Sequence, residues 1–219
     1  MMNWLTYGLR AVALKAALGL GAISAAAEQT DILALGDSLT QGYGLLEENG
    51  FVPQLRGWLA ERGHDVRIVN AGVSGDTTAG GLARVDWSLT PEIDAMIVAL
   101  GGNDLLRGID PAVARENLDG ILQIARERDL AVLLIGMDAP GNYGADYEAA
   151  FDSIYPDLAE RYGTLYLDDF FAPLRSAGTA QMQTFMQSDG IHPNAEGVAR
   201  IVDTVGPRVE ALIARAADR

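Results

Sequence analysis

The chain has 219 residues, 49% of them hydrophobic and 21% charged, a balance that suits one folded domain with a sizeable core. Its 30 acidic residues outnumber 16 basic ones, and a net charge of −14 argues against nucleic acid or an anionic lipid surface as a standing partner. There is no cysteine, which excludes thiol catalysis, disulfides and cysteine-ligated metal.

Residues 1–27 contain no acid, carry Arg10 and Lys15, and end in the small-residue run Ser24-Ala25-Ala26-Ala27. The apolar stretch from Ala16 is too short to span a bilayer, and this pattern predicts a signal peptide cleaved near Ala27. An N-terminal amphipathic or core helix is the alternative. Cleavage takes the net charge from −14 to −16 and leaves a single domain, residues 28–219, for the periplasm or beyond. It also removes Lys15, the only lysine, so that domain has none for a P-loop, a Schiff base or a serine–lysine dyad.

After Glu28 no repeat or linker divides the chain. Short apolar runs predict strands at Ile32–Gly36, Val66–Asn70, Ala95–Leu100, Ala131–Gly136 and Thr164–Leu167. Helical patterns fall between them at Phe51–Arg62, Ala79–Ser88, Ala112–Arg128 and Ala145–Arg161. A last one covers Ala195–Ala217, where Pro207 predicts a kink or break. Strands alternating with helices imply a parallel sheet with right-handed crossovers. Five strands at this length fit an α/β fold of the three-layer α/β/α flavodoxin-like kind, not an eight-stranded barrel.

In such a sheet the loops after the strands open on one edge, and three of them are polar and glycine-bearing. They are Gly36-Asp37-Ser38, Asn70-Ala71-Gly72-Val73-Ser74-Gly75 and Gly101-Gly102-Asn103-Asp104. Ser38 is either the N-cap of a helix or a nucleophile. Gly75 permits a turn and also offers an unshielded N–H, while the Asn103 amide is a donor for a developing oxyanion. Of the two histidines, His64 falls in a helix-to-strand turn at the opposite edge. His192 follows Asp189 by three residues, close enough for a carboxylate to fix its Nδ1 tautomer and leave Nε2 free for a serine proton. Asp189 and Asn194 are also ordinary capping residues.

The segments Gly36-Asp37-Ser38-Leu39, Gly72-Val73-Ser74-Gly75, Gly101-Gly102-Asn103-Asp104 and Asp189-Gly190-Ile191-His192-Pro193 resemble, in order and spacing, the four blocks of the SGNH (GDSL) hydrolases. Within that family the chain is most similar to the bacterial periplasmic acyl-thioesterases, arylesterases and lysophospholipases. The resemblance implies Ser38 as nucleophile and His192 as base oriented by Asp189. It further implies an oxyanion hole from the N–H groups of Ser38 and Gly75 and the Asn103 amide, with no metal or organic cofactor. The implied substrate is a small-molecule ester, thioester or lysophospholipid of short-to-medium acyl chain. Leu105, Leu106 and Tyr143 are either residues of an acyl groove or ordinary packing residues. Three other readings stand beside it. They are a carbohydrate acetyl esterase, a phosphoesterase with metal on Asp37, Asn70, Asn103 and His192, and a non-enzymatic binding module.

Overall fold

A computed structural model describes residues 29–176 and 178–219, so the expected signal peptide lies outside the described residues. Five strands, β1 (Thr30–Gly36), β2 (Val66–Gly72), β3 (Ala95–Ala99), β4 (Ala131–Ile135) and β5 (Leu165–Leu167), form one sheet in the order β2-β1-β3-β4-β5. Every pairing is parallel, with Ile32 opposite Ile68 on one side and Ala95 on the other. All five residues of β3 and of β4 are buried, as strands covered on both faces require.

The helices are α1 (Ser38–Gln41), α2 (Phe51–Ala60), α3 (Thr78–Ser88), α4 (Gly102–Leu106), α5 (Pro111–Glu127), α6 (Ala145–Asp152), α7 (Ile154–Tyr162), α8 (Ala172–Arg175), α9 (Thr179–Met182) and α10 (Ala195–Ala217). One face of the sheet carries α2 and α10; the other carries α3, α5 and α7. Two of the long helices, α2 and α5, each bury one apolar stripe. In α2 it is Phe51, Val52, Leu55 and Leu59, and in α5 it is Ala114, Leu118, Ile121, Leu122 and Ala125. Caps set the starts: Asp110 accepts the Ala112 N–H at 2.9 Å ahead of Pro111, and Asn194 accepts the Gly197 N–H at 3.0 Å.

Two local expectations change. The helix predicted over Ala145–Arg161 is two helices separated at Ser153. Pro156, in the first turn of α7, has no N–H for the Asp152 carbonyl, and its ring crowds that position. Conversely, α10 runs through Pro207 without a break. Its buried stripe of Val198, Ile201, Val202, Val205, Val209 and Leu212 continues on both sides of the proline, and that packing outweighs a penalty of about 3 kcal/mol.

The loops after β1 and β3 flank the point where strand order reverses, the usual place for a ligand crevice in an open α/β sheet.

Candidate active site

The chain leaves β1 at Gly36 and turns at once into α1. Asp37 caps that helix, its Oδ1 accepting the Leu39 N–H at 2.9 Å, so Ser38 becomes the first helical residue. The capping reading of this turn therefore applies to Asp37, and the Ser38 hydroxyl is free for another partner. That partner is His192: Nε2 lies 2.8 Å from Ser38 Oγ. On the far side of the ring, His192 Nδ1 lies 2.6 Å from Asp189 Oδ2. Three side chains separated by as many as 154 residues thus form one hydrogen-bonded line.

Local structure holds the histidine at that distance. Asp189 Oδ1 accepts the N–H groups of Ile191 at 2.9 Å and His192 at 3.0 Å, closing a tight turn around the carboxylate. The bond to the His192 ring, followed by these two N–H groups, holds the Asp189 carboxyl down at about 2. The Gln187 N–H donates to the His192 carbonyl at 2.7 Å. The Gln187 side chain donates to the carbonyls of Pro193 at 3.0 Å and Tyr43 at 2.8 Å, tying the histidine turn to the loop after α1. The Tyr43 ring sits 4.7 Å from the His192 ring, covering one side of it.

Gly75 and Asn103 open on the same cleft as Ser38 and His192. Gly75 has φ +83 in a turn closed by the Asp76 N–H on the Val73 carbonyl at 3.1 Å, a conformation that favours glycine at this place. Among the described residues, neither the Ser38 nor the Gly75 N–H has a hydrogen-bond acceptor. The Asn103 amide nitrogen donates to Asp37 Oδ2 at 3.2 Å, leaving its second N–H available. Asp37 is 1% exposed, and burial pushes its carboxyl up to about 6 against the pull of the Leu39 N–H, the Asn103 amide and the His192 charge.

The cleft measures about 610 Å³. Its apolar wall includes Leu105, Leu106, Met137, Pro140, Tyr143 and Phe171, so the three groove residues expected from sequence all line it. Such a site combines a hydroxyl poised on an imidazole, donors without acceptors and an apolar trough. It has the chemical parts for acyl transfer.

Other candidates lie elsewhere. His64 pairs with Glu210 at 3.0 Å in the turn before β2, at the amino-terminal edge. Asn70 donates to the Gln41 carbonyl at 3.4 Å and accepts the Gly72 N–H at 2.9 Å, serving the turn after β2. Among the described residues, no three His, Asp or Glu side chains are grouped as metal ligands. Sequence reasoning missed Gln187, Tyr43 and the bond between Asp37 and Asn103, because each depends on contacts between separate loops.

A family model described as GDSL-like Lipase/Acylhydrolase matches residues 34–200. Esterase TesA of Pseudomonas aeruginosa is 39% identical over 206 residues, covering 94% of this chain and 100% of that protein. Thioesterase 1/protease 1/lysophospholipase L1 of Escherichia coli K12 is 35% identical over 190 residues, covering 86% of this chain and 87% of that protein. The crystal structure of AlinE4, an SGNH-hydrolase family esterase, superposes with a TM-score of 0.70 at 44% identity, covering 84% of this chain and 96% of that one. A match over most of the chain and relatives aligned nearly end to end place this protein in the GDSL-like lipase/acylhydrolase family, the SGNH hydrolases.

Proposed function

We propose that the protein hydrolyses carboxylic esters of short-to-medium acyl chains through an acyl-enzyme on Ser38. The observation that carries the reading is the hydrogen-bonded line from Asp189 through His192 to Ser38 at the mouth of an apolar cleft. His192 takes the Ser38 proton as Oγ attacks the carbonyl, and Asp189 holds the ring with Nδ1 protonated and balances the imidazolium that forms. The oxyanion is met by the N–H groups of Ser38 and Gly75 and by the free N–H of Asn103. His192 then protonates the leaving group, and water repeats the cycle to release the acid. No step calls for a metal or organic cofactor.

The acyl chain lies along Leu105, Leu106 and Tyr143. The names of the relatives span ester, thioester and lysophospholipid substrates, and the high negative charge favours a neutral ester over a polyanionic thioester. The composition of residues 1–27 supports export to the periplasm or beyond, and no described helix is long and apolar enough to cross a membrane. A chain-length series of nitrophenyl esters, with thioester and lysophospholipid substrates alongside, tests the specificity. Fluorophosphonate labelling tests the mechanism: the parent takes one label at Ser38, and Ser38→Ala takes none and is inactive. Turnover by folded Ser38→Ala overturns the proposal.

A further inference from the structure

We propose that Arg84 is a positioning residue for the oxyanion hole, fixing the turn that carries the Gly75 N–H relative to the strand end that carries Ser38. The proposal rests on the reading of Gly75 and Ser38 as oxyanion donors. Arg84 lies on α3, and its side chain is 10% exposed. Its Nε donates to Asp76 Oδ2 at 2.6 Å, and one terminal nitrogen donates to the Gly36 carbonyl at 2.8 Å. Asp76 directly follows Gly75, and Gly36 lies two residues before Ser38.

The Gly36 carbonyl is the common reference. It also accepts the Val73 N–H at 3.1 Å, so the turn Val73–Asp76 is anchored to it at both ends. The Val73 end binds it directly. The Asp76 end binds it through the guanidinium. A third hold comes from Arg107, whose guanidinium donates to the Gly75 carbonyl at 2.7 Å. Two donors meant for one oxyanion come from different loops, and beyond the Gly36–Gly72 end of the β1–β2 ladder one backbone bond, Val73 N–H to the Gly36 carbonyl, fixes only the near end of the turn. The Arg84 fork fixes the end that follows Gly75. Only arginine presents two donors on the edges of one rigid plane, so a lysine cannot hold Asp76 and Gly36 O together in the same geometry.

A donor displaced by about 1 Å costs about 10²-fold in rate, and loss of one donor costs about 10²–10³. For Arg84→Lys the expected result is a fall in kcat of about 10–10², counted per active site titrated with fluorophosphonate. KM for a nitrophenyl ester stays within about threefold, because ground-state binding does not use the hole. The fluorophosphonate labelling rate falls by a similar factor at every pH, since Arg84 does not touch His192. Asp76→Ala removes the other end of the fork and gives the same kcat loss, without further loss in the double variant; it also serves if Arg84→Lys does not fold. Parental kcat per titrated site in either folded variant, with only a lower Tm, makes the fork purely structural and overturns the proposal. Asn103→Ala separates the two levels of inference. Its expected loss of about 10²–10³ upholds the oxyanion reading even if Arg84 fails, whereas parental kcat in Asn103→Ala removes the reading itself.

Discussion

Asp37 gives the sharpest thermodynamic test of the site. Its carboxyl is 1% exposed and raised from 3.8 to about 6, chiefly by burial. The folded protein therefore holds this proton more tightly than the unfolded chain does. The sign is the reverse of a paired carboxylate: the favourable contribution is complete below 3.8 and is lost as pH rises through about 6. A gap of about two units at about 1.4 kcal/mol each amounts to about 3 kcal/mol. Asp37→Asn keeps the shape and an acceptor for the Leu39 N–H but never ionises. Between about pH 4 and pH 7 the stability of the variant relative to the parent should therefore improve by most of that 3 kcal/mol. Equilibrium urea unfolding of both proteins at a series of pH values measures the difference, and most other titrating groups cancel in it. A stability difference that stays constant over that range would refute the reasoning. The same variant should lose kcat, because an amide whose oxygen stays on the Leu39 N–H turns its NH₂ toward Asn103 and no longer accepts from it.

Asp189→Asn should lower kcat by about 10³–10⁴, since the amide stabilises the wrong His192 tautomer and balances no imidazolium; steady-state kinetics on the folded variant check this, and a loss confined to KM counts against it. Because its carboxyl is held at about 2, Asp189 stays ionised through the working range, and any acid limb in the pH profile of the parent must come from another group. Leu106→Ala should reduce the ratio of long-chain to acetyl ester kcat/KM by about tenfold, as the loss of apolar contact along an acyl chain predicts. Gly206→Ala should lower Tm, because a Cβ there would lie 2.7 Å from the Trp58 ring where α10 crosses α2. Overpacking costs about 1–3 kcal/mol, and an unchanged melting curve would mean that the helices yield at this crossing.

The line Ser38–His192–Asp189 was legible because elimination worked in its favour. With Lys15 set aside and no cysteine, few nucleophile–base pairs remained, and one histidine of two followed a polar turn. The strand runs were legible for a related reason, since β3 and β4 are buried on both faces and every residue in them is apolar. The Arg84 fork was not legible. Arg84 is 8 residues from Asp76 and 48 from Gly36, and on a helix pattern it reads as one more solvated cation. Only the parallel pairing of β1 with β2, followed by the return of α3 over β1, brings its guanidinium under the two loops. Asp37 was read as part of a motif or as a metal ligand, because capping and contact with Asn103 are both properties of the turn after β1 once it is folded.

The two prolines show why local rules resolve only part of such a chain. Each removes one N–H and crowds the carbonyl four residues before it, at a similar intrinsic cost. Pro207 sits within a stripe that buries Val202 and Val205 before it and Val209 and Leu212 after it, so breaking α10 would expose apolar surface on both sides. Pro156 is also flanked by buried residues, Ile154 and Tyr155 before it and Leu158 and Ala159 after it, but the break at Ser153 puts it in the first turn of α7, where a helix has no acceptor for the missing N–H. What differs is whether one unbroken stripe must span the proline, and that is a property of the assembled layers. The same holds at the candidate site. The residue types of the proposed chemistry are visible in the sequence, while the residues that hold them in place, Arg84, Asp76, Gln187 and Asp37, acquire those contacts only when separate segments meet at one sheet edge.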